Sequence, residues 1–197
     1  VDIGEFITSL NTFDLLVVFV LGAMFILGFI QGTIRRLMGI ASILFSFLVA
    51  ANVREPLGEF LAANWTHLRP EYATMVGFGT IFVATAITFT IAIQAFYKKA
   101  PLFEKYTVVD EVLGGVLGVL QGVLLLAITV IILDSVFEIP GVPRTNTELP
   151  FLRELHDAYD PSITAGILRD RAIPVLFAIL GPFIPDTLRQ LFPGTGA

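Results

Sequence analysis

The chain contains no cysteine, so disulfides, thiolate nucleophiles and cysteine-ligated zinc are all excluded. It is also poor in charge. Only 15% of its 197 residues are Asp, Glu, Lys or Arg, whereas 55% are hydrophobic. A soluble domain needs a polar covering that this composition does not supply. A basic surface is missing too. The net charge of -5 argues against nucleic acid as a partner, because phosphate binding requires positive charge. Finally, no Lys or Arg precedes Arg35, while Asp2, Glu5 and Asp14 do. A cleaved secretory signal begins with positive charge, so the first apolar run is expected to be retained in the membrane.

What is present is a set of long apolar stretches. Residues 13–30, 37–51, 73–96 and 112–133 are nearly free of charge. Each is read as a transmembrane helix. No proline separates the first two. One continuous helix across both would be about twice the roughly 20 residues a span needs, and would place Arg35 and Arg36 in hydrocarbon. A turn near Gly28–Arg36 is expected instead, with the arginines snorkelling to the boundary. Asn52 to Tyr72 reads as a loop, with Pro56, Pro70 and the interfacial aromatics Trp65 and Tyr72. The expected fold is all-α: a four-helix transmembrane domain over residues 1–134 and an exported tail over 135–197 with short amphipathic or interfacial helices. Lys and Arg near the helix ends set the orientation. Arg35 and Arg36 mark the first connection, and Lys98, Lys99 and Lys105 the third. Both connections are expected on the cytoplasmic side and both termini on the outer side.

Within the tail, Leu149, Leu152, Leu155 and Tyr159 share one helical face, and Asp160-Pro161 opens a second short helix. Residues 173–184 are apolar but too short to span, and Pro174, Pro182 and Pro185 are expected to break them. They read as a buried or interfacial segment; a re-entrant or fifth spanning segment is the alternative.

Gly114, Gly118 and Gly122 lie at four-residue spacing and so form one helical ridge, and Gly28 and Gly32 repeat the spacing. Such ridges let another helix approach closely in lipid, from the same chain or from another. Asp110 and Glu111 suit the positive end of a helix dipole. Gln94 and Gln121 interrupt apolar runs; they fit interhelical hydrogen bonds, or the lining of a polar path. His67 and His156 have no companion at ligand spacing, so no metal or other cofactor is expected. Ser135, Ser162 and His156 do not make a hydrolase signature, since nothing resembles G-x-S-x-G.

With the helices placed, the chain resembles the colicin V production protein family, known as CvpA. Phe13-Asp14-Leu15 resembles the acid at the head of its first helix. Gly28 to Gly32, followed by Arg35, resembles its turn. DEVLGGVLGVLQG, from Asp110 to Gly122, resembles the start of its fourth helix. Ser162 to Leu191, with Pro174 and Pro185-Asp186, resembles its closing segment. The resemblance implies a bacterial inner-membrane protein of four helices without established chemistry, linked to colicin V production or export and to envelope upkeep. It supplies no catalytic residues, and its glycines map onto packing positions. Some relatives carry an exported serine protease; here any such role is expected of a separate partner. The expected function is a non-enzymatic scaffold or accessory protein whose partners are the lipid bilayer and other membrane proteins or further copies of the chain. Transport or export of a peptide or small solute is the alternative.

Overall fold

The computed structural model describes residues 11–65, 70–96, 107–137, 150–190 and 192. Every element among them is helical, and four helices are long and apolar enough to cross a membrane. These are α1 (Thr12–Gln31), α2 (Thr33–Asn64), α3 (Pro70–Phe96) and α4 (Thr107–Phe137). Lys98, Lys99, Lys105 and His67 lie outside the described residues.

A single residue turns α1 into α2. Gly32 has φ +79, and its N–H donates to the Gly28 carbonyl at 2.9 Å. Only glycine takes this backbone region without steric cost. The space is closed as well, because a Cβ there would lie 2.5 Å from Asp110 Oδ2. Beyond the turn α1 and α2 separate, and each packs on α4. α1 runs antiparallel to α4, with Gly28 against Gly114 and Leu21 against Gly122. α2 runs parallel to α4, from Thr33 beside Asp110 to Gly39 beside Gln121. α3 then pairs with α2, where Phe47 meets Phe78 and Gly58 meets Thr74.

α2 is much longer than the apolar run 37–51. It continues through Pro56 to Asn64, over residues expected to form a loop. At 1.5 Å per residue its 32 residues extend about 48 Å, against a hydrocarbon thickness of about 30 Å. The hydrocarbon is thus crossed by about Asn52, and Arg54, Glu55 and Glu59 belong to a projecting end. Pro56 removes one ladder bond there, where water reaches the freed carbonyl.

The tail forms α5 (Pro150–Tyr159), α6 (Ile163–Ile167), a π turn (Leu168–Ala172) and α7 (Ile173–Leu180), then a 3-10 turn (Gly181–Phe183) and α8 (Asp186–Arg189). Pro174 does not break this run. It sits in the first turn of α7, and the helix widens just before it, the Ile173 N–H reaching back five residues to Leu168 O. The wider turn accommodates a proline that brings no N–H of its own. Ile173, Leu176, Phe177 and Leu180 are buried and join one core with Phe47, Phe78, Ile128 and Ile131 of the bundle. Residues 173–180 therefore pack against the bundle through this face; α7 is not one of the four helices long and apolar enough to cross a membrane.

Candidate functional site

The charged residues of the bundle gather at its two ends. At the end where α1 starts and α4 finishes, two buried carboxylates hold the tail. Asp14 is 1% exposed. Its Oδ1 accepts from the Thr164 N–H at 2.9 Å and the Thr164 hydroxyl at 2.6 Å, and its Oδ2 accepts from the Asn11 N–H at 3.0 Å. Asp134 receives a bidentate pair from Arg169, Nε to Oδ2 at 2.8 Å and Nη2 to Oδ1 at 2.8 Å. The Tyr159 hydroxyl also donates to Asp134 Oδ1, at 2.5 Å. Arg169 continues to Asp160 at 2.6 Å. On the far side of this end, Asn52 Nδ2 donates to Phe183 O at 3.1 Å and Arg54 Nη2 to Thr187 Oγ1 at 3.1 Å. Helices α1, α2 and α4 thus each hold one part of the tail across the end of the bundle.

The electrostatics of this clamp follow from burial and from the Asp134 charge. Burial pushes the Tyr159 phenol up from its ordinary value, and the neighbouring carboxylate pushes it further. The hydrogen bonds from Arg169 to Asp134 raise the guanidinium above its ordinary value, outweighing its partial burial. Arg169 therefore stays cationic and Tyr159 protonated through the neutral range. Ser162 caps α6 by accepting from the Ala165 N–H, and Ser135 donates to Ile132 O. His156 sits between Phe137 and Tyr159, tilted against the first ring and edge-on to the second, with Asp157 Oδ1 3.7 Å from its Nδ1. Among the described residues no group of three or more His, Cys, Asp or Glu is placed to hold a metal ion.

The opposite end, at the Gly32 turn, carries a cleft of about 210 Å³ lined from all four helices. Gln31 comes from α1, Arg35, Arg36 and Gly39 from α2, Thr90 and Gln94 from α3, and Gln121 from α4. Arg36 does not snorkel outward as expected. It is 5% exposed and donates through Nη1 to Gln121 Oε1 at 2.7 Å. It can turn inward because Gln121 offers an acceptor and Gly39 leaves room for it, a Cβ on Gly39 falling 2.8 Å from Gln121 Nε2. Gln121 thus makes an interhelical hydrogen bond and lines a polar cleft at once.

The glycines lie where α1 crosses α4. A Cβ on Gly28 would run into the Gly114 carbonyl, and one on Gly118 into the Met24 carbonyl. On Gly122 it would come 2.9 Å from Leu21 Cδ2. The ridge of α4 therefore faces a helix of the same chain.

The clamp is not legible in the sequence. Asp14 reads as an acid at the head of the first helix, and nothing in local spacing couples it to Thr164, 150 residues away. The one usable signal was the position of acids flanking otherwise uncharged spans.

No curated protein and no solved structure matches the chain. The family model described as colicin V production protein matches residues 13–157, from the first turn of α1 to near the end of α5. The match stops before Ser162 to Leu191, so the likeness expected of that segment lies outside it. It does include Asp14, both arginines of the turn and the whole of α4. The chain belongs to the colicin V production protein family.

Proposed function

We propose that the chain is a non-enzymatic scaffold or accessory subunit of the bacterial cytoplasmic membrane that presents its tail, braced on the outer end of the bundle, to other membrane proteins or to further copies of itself. The observation that carries this reading is the outer clamp. Its buried carboxylates are engaged in fixing the shape of the tail, which is how a binding platform is made rigid. Arg35 and Arg36 at the Gly32 end support a cytoplasmic position for that end, and Lys98 and Lys99 follow the end of α3 in sequence. Both termini then face outward. The chain purified in native lipid patches is expected to carry a partner, or a second copy, at fixed stoichiometry. Asp134→Ala, which loosens the tail but leaves the spans, is expected to lose it. A homogeneous monomer from the native membrane would refute the proposal.

A second reading, transport or export of a small solute, is favoured by the cleft that gathers Gln94, Gln121 and Thr90. Against it, the larger cavity of about 640 Å³ between α1, α2, α4 and the tail is almost wholly apolar, lined by Leu21, Leu44, Val123 and Leu124. Flux through reconstituted vesicles, compared between the native chain and Gln121→Leu, separates the two readings.

A further inference from the structure

We infer that the cleft at the Gly32 turn is a binding site for one phosphate-class anion: either the phosphodiester of an anionic lipid or free phosphate. A charge at this end of the bundle lacks its counterpart. Arg36 is 95% buried, since its exposure is 5%. Its one hydrogen-bond partner among the described residues is the neutral carboxamide of Gln121, and its Nε, fully buried, has none. Arg35 lines the same cleft, and no ion pair joins either arginine to a carboxylate among the described residues. Asp110, at the same end of the bundle, lies against Gly32. A guanidinium withdrawn from water without a counter-charge is costly, and an anion in the cleft removes that cost.

Geometry selects the class of anion. Gln121 holds Nη1 and so orients the guanidinium. Nε and Nη2 form the remaining edge of the guanidinium, a pair of parallel donors of the kind that fits phosphate or carboxylate oxygens. Arg35 adds a second cation, and Gln31 and Gln94 add carboxamide donors. No carboxylate lines the cleft to repel an anion. Its volume of about 210 Å³ falls below the range typical of drug-sized ligands, so a single small group fits and a nucleotide does not. Its depth agrees as well. Arg36 lies one turn into α2 from Thr33, at the boundary of the span, where lipid phosphates sit and where basic pockets between helices take headgroups. Met24, Leu27 and Ile93 complete the lining with apolar surface suited to the glycerol and first methylenes of a lipid.

The test uses the full chain purified in a neutral detergent. Inorganic phosphate is titrated calorimetrically against a chloride background. Retention of phosphatidylglycerol against phosphatidylcholine is measured by native mass spectrometry. One bound phosphate, or one preferentially retained phosphatidylglycerol, per chain is expected. The first outcome identifies a soluble anion as the source, and the second a headgroup. In Arg35→Gln the affinity for that probe should fall about tenfold or more, the loss expected of a charged hydrogen bond. Gly39→Ala should weaken it as well, because the new methyl displaces the Gln121 side chain that orients Arg36. Arg36→Gln should abolish binding. Should that variant misfold, Arg35→Gln and Gly39→Ala decide the matter, since neither removes the buried guanidinium. The proposal is overturned if neither probe exceeds its control, or if Arg35→Gln and Gly39→Ala both bind as the native chain does.

Discussion

Replacing Asp134 with alanine tests the clamp most directly. Asp134 has a side chain 2% exposed and accepts three hydrogen bonds, two from Arg169 and one from Tyr159. Removing one member of a buried, hydrogen-bonded ion pair costs about 3–5 kcal/mol. The lower end applies here for two reasons. The Arg169 side chain is 26% exposed, and it keeps Asp160 as a second partner. Tyr159 is less fortunate: it is 1% exposed, and its hydroxyl loses its acceptor at about 1–3 kcal/mol. The two contributions overlap, so about 3 kcal/mol is expected in total. The loss falls on the docking of the tail, since the α1–α4 contacts are untouched. Amide hydrogen exchange of the chain in lipid nanodiscs reads it out. Opening of residues 163–180 should become roughly a hundredfold more frequent, while protection in the centre of α4 stays as it was. Tyr159→Phe removes one hydrogen bond to the carboxylate and should produce a smaller increase, roughly tenfold. If Asp134→Ala left exchange of residues 163–180 within about threefold of native, the clamp would not be what holds the tail.

The glycine crossing predicts a graded series. Gly28→Ala should lower thermal stability in detergent by about 1–3 kcal/mol, because its methyl meets the Gly114 backbone. Gly22→Ala, with nothing within 4 Å of its Cβ, serves as control and should be neutral or slightly stabilising. The cysteine-free sequence makes topology directly measurable. A membrane-impermeant maleimide should label Glu154→Cys in intact cells, and Thr107→Cys only after permeabilisation; the reverse pattern would invert the proposed orientation. The clamp also predicts a pH response. Tyr159 is raised in the folded chain, so its contribution is complete below the unfolded phenol value of about 10 and is lost as pH climbs above it. Arg169 is raised too, and its contribution is lost only at still higher pH. Tail protection should therefore stay flat from pH 6 to about 9 and decline beyond about 10; a decline near neutrality would count against this arrangement.

How much of this was legible in the sequence depended on the range of the interaction. The spans were legible because a bilayer imposes its own length and polarity on each segment. The Gly32 turn was legible because two glycines and two arginines meet between apolar runs. The far end of α2 was not. Pro56 with nearby charges reads as a loop, yet a helix leaving the membrane can carry both, since water satisfies what the ladder loses. Arg36 was misplaced for a related reason. Snorkelling is the general solution for an arginine near a boundary, and it was displaced here by Gln121, an acceptor 85 residues away that Gly39 leaves room for.

Each end of the bundle buries charge of both signs. The Gly32 end holds Arg36 and Asp110, and the other end holds Asp14, Asp134 and Arg54. Lys and Arg bias topology far more strongly than Asp and Glu, so the orientation proposed for the α1–α2 hairpin rests on its arginines. That leaves the carboxylates free to serve another purpose. Asp14 and Asp134 sit near the start of α1 and the end of α4, and both take partners from residues 159–169, Asp14 in addition to the Asn11 N–H. A carboxylate at that level can stay hydrated until the tail arrives. It is then exchanged from water to Thr164, Tyr159 and Arg169 without crossing hydrocarbon. Both carboxylates are thus engaged by residues that follow them in the sequence. The buried guanidinium at the opposite end has no such partner within the described chain, which is why its counter-charge is sought outside it.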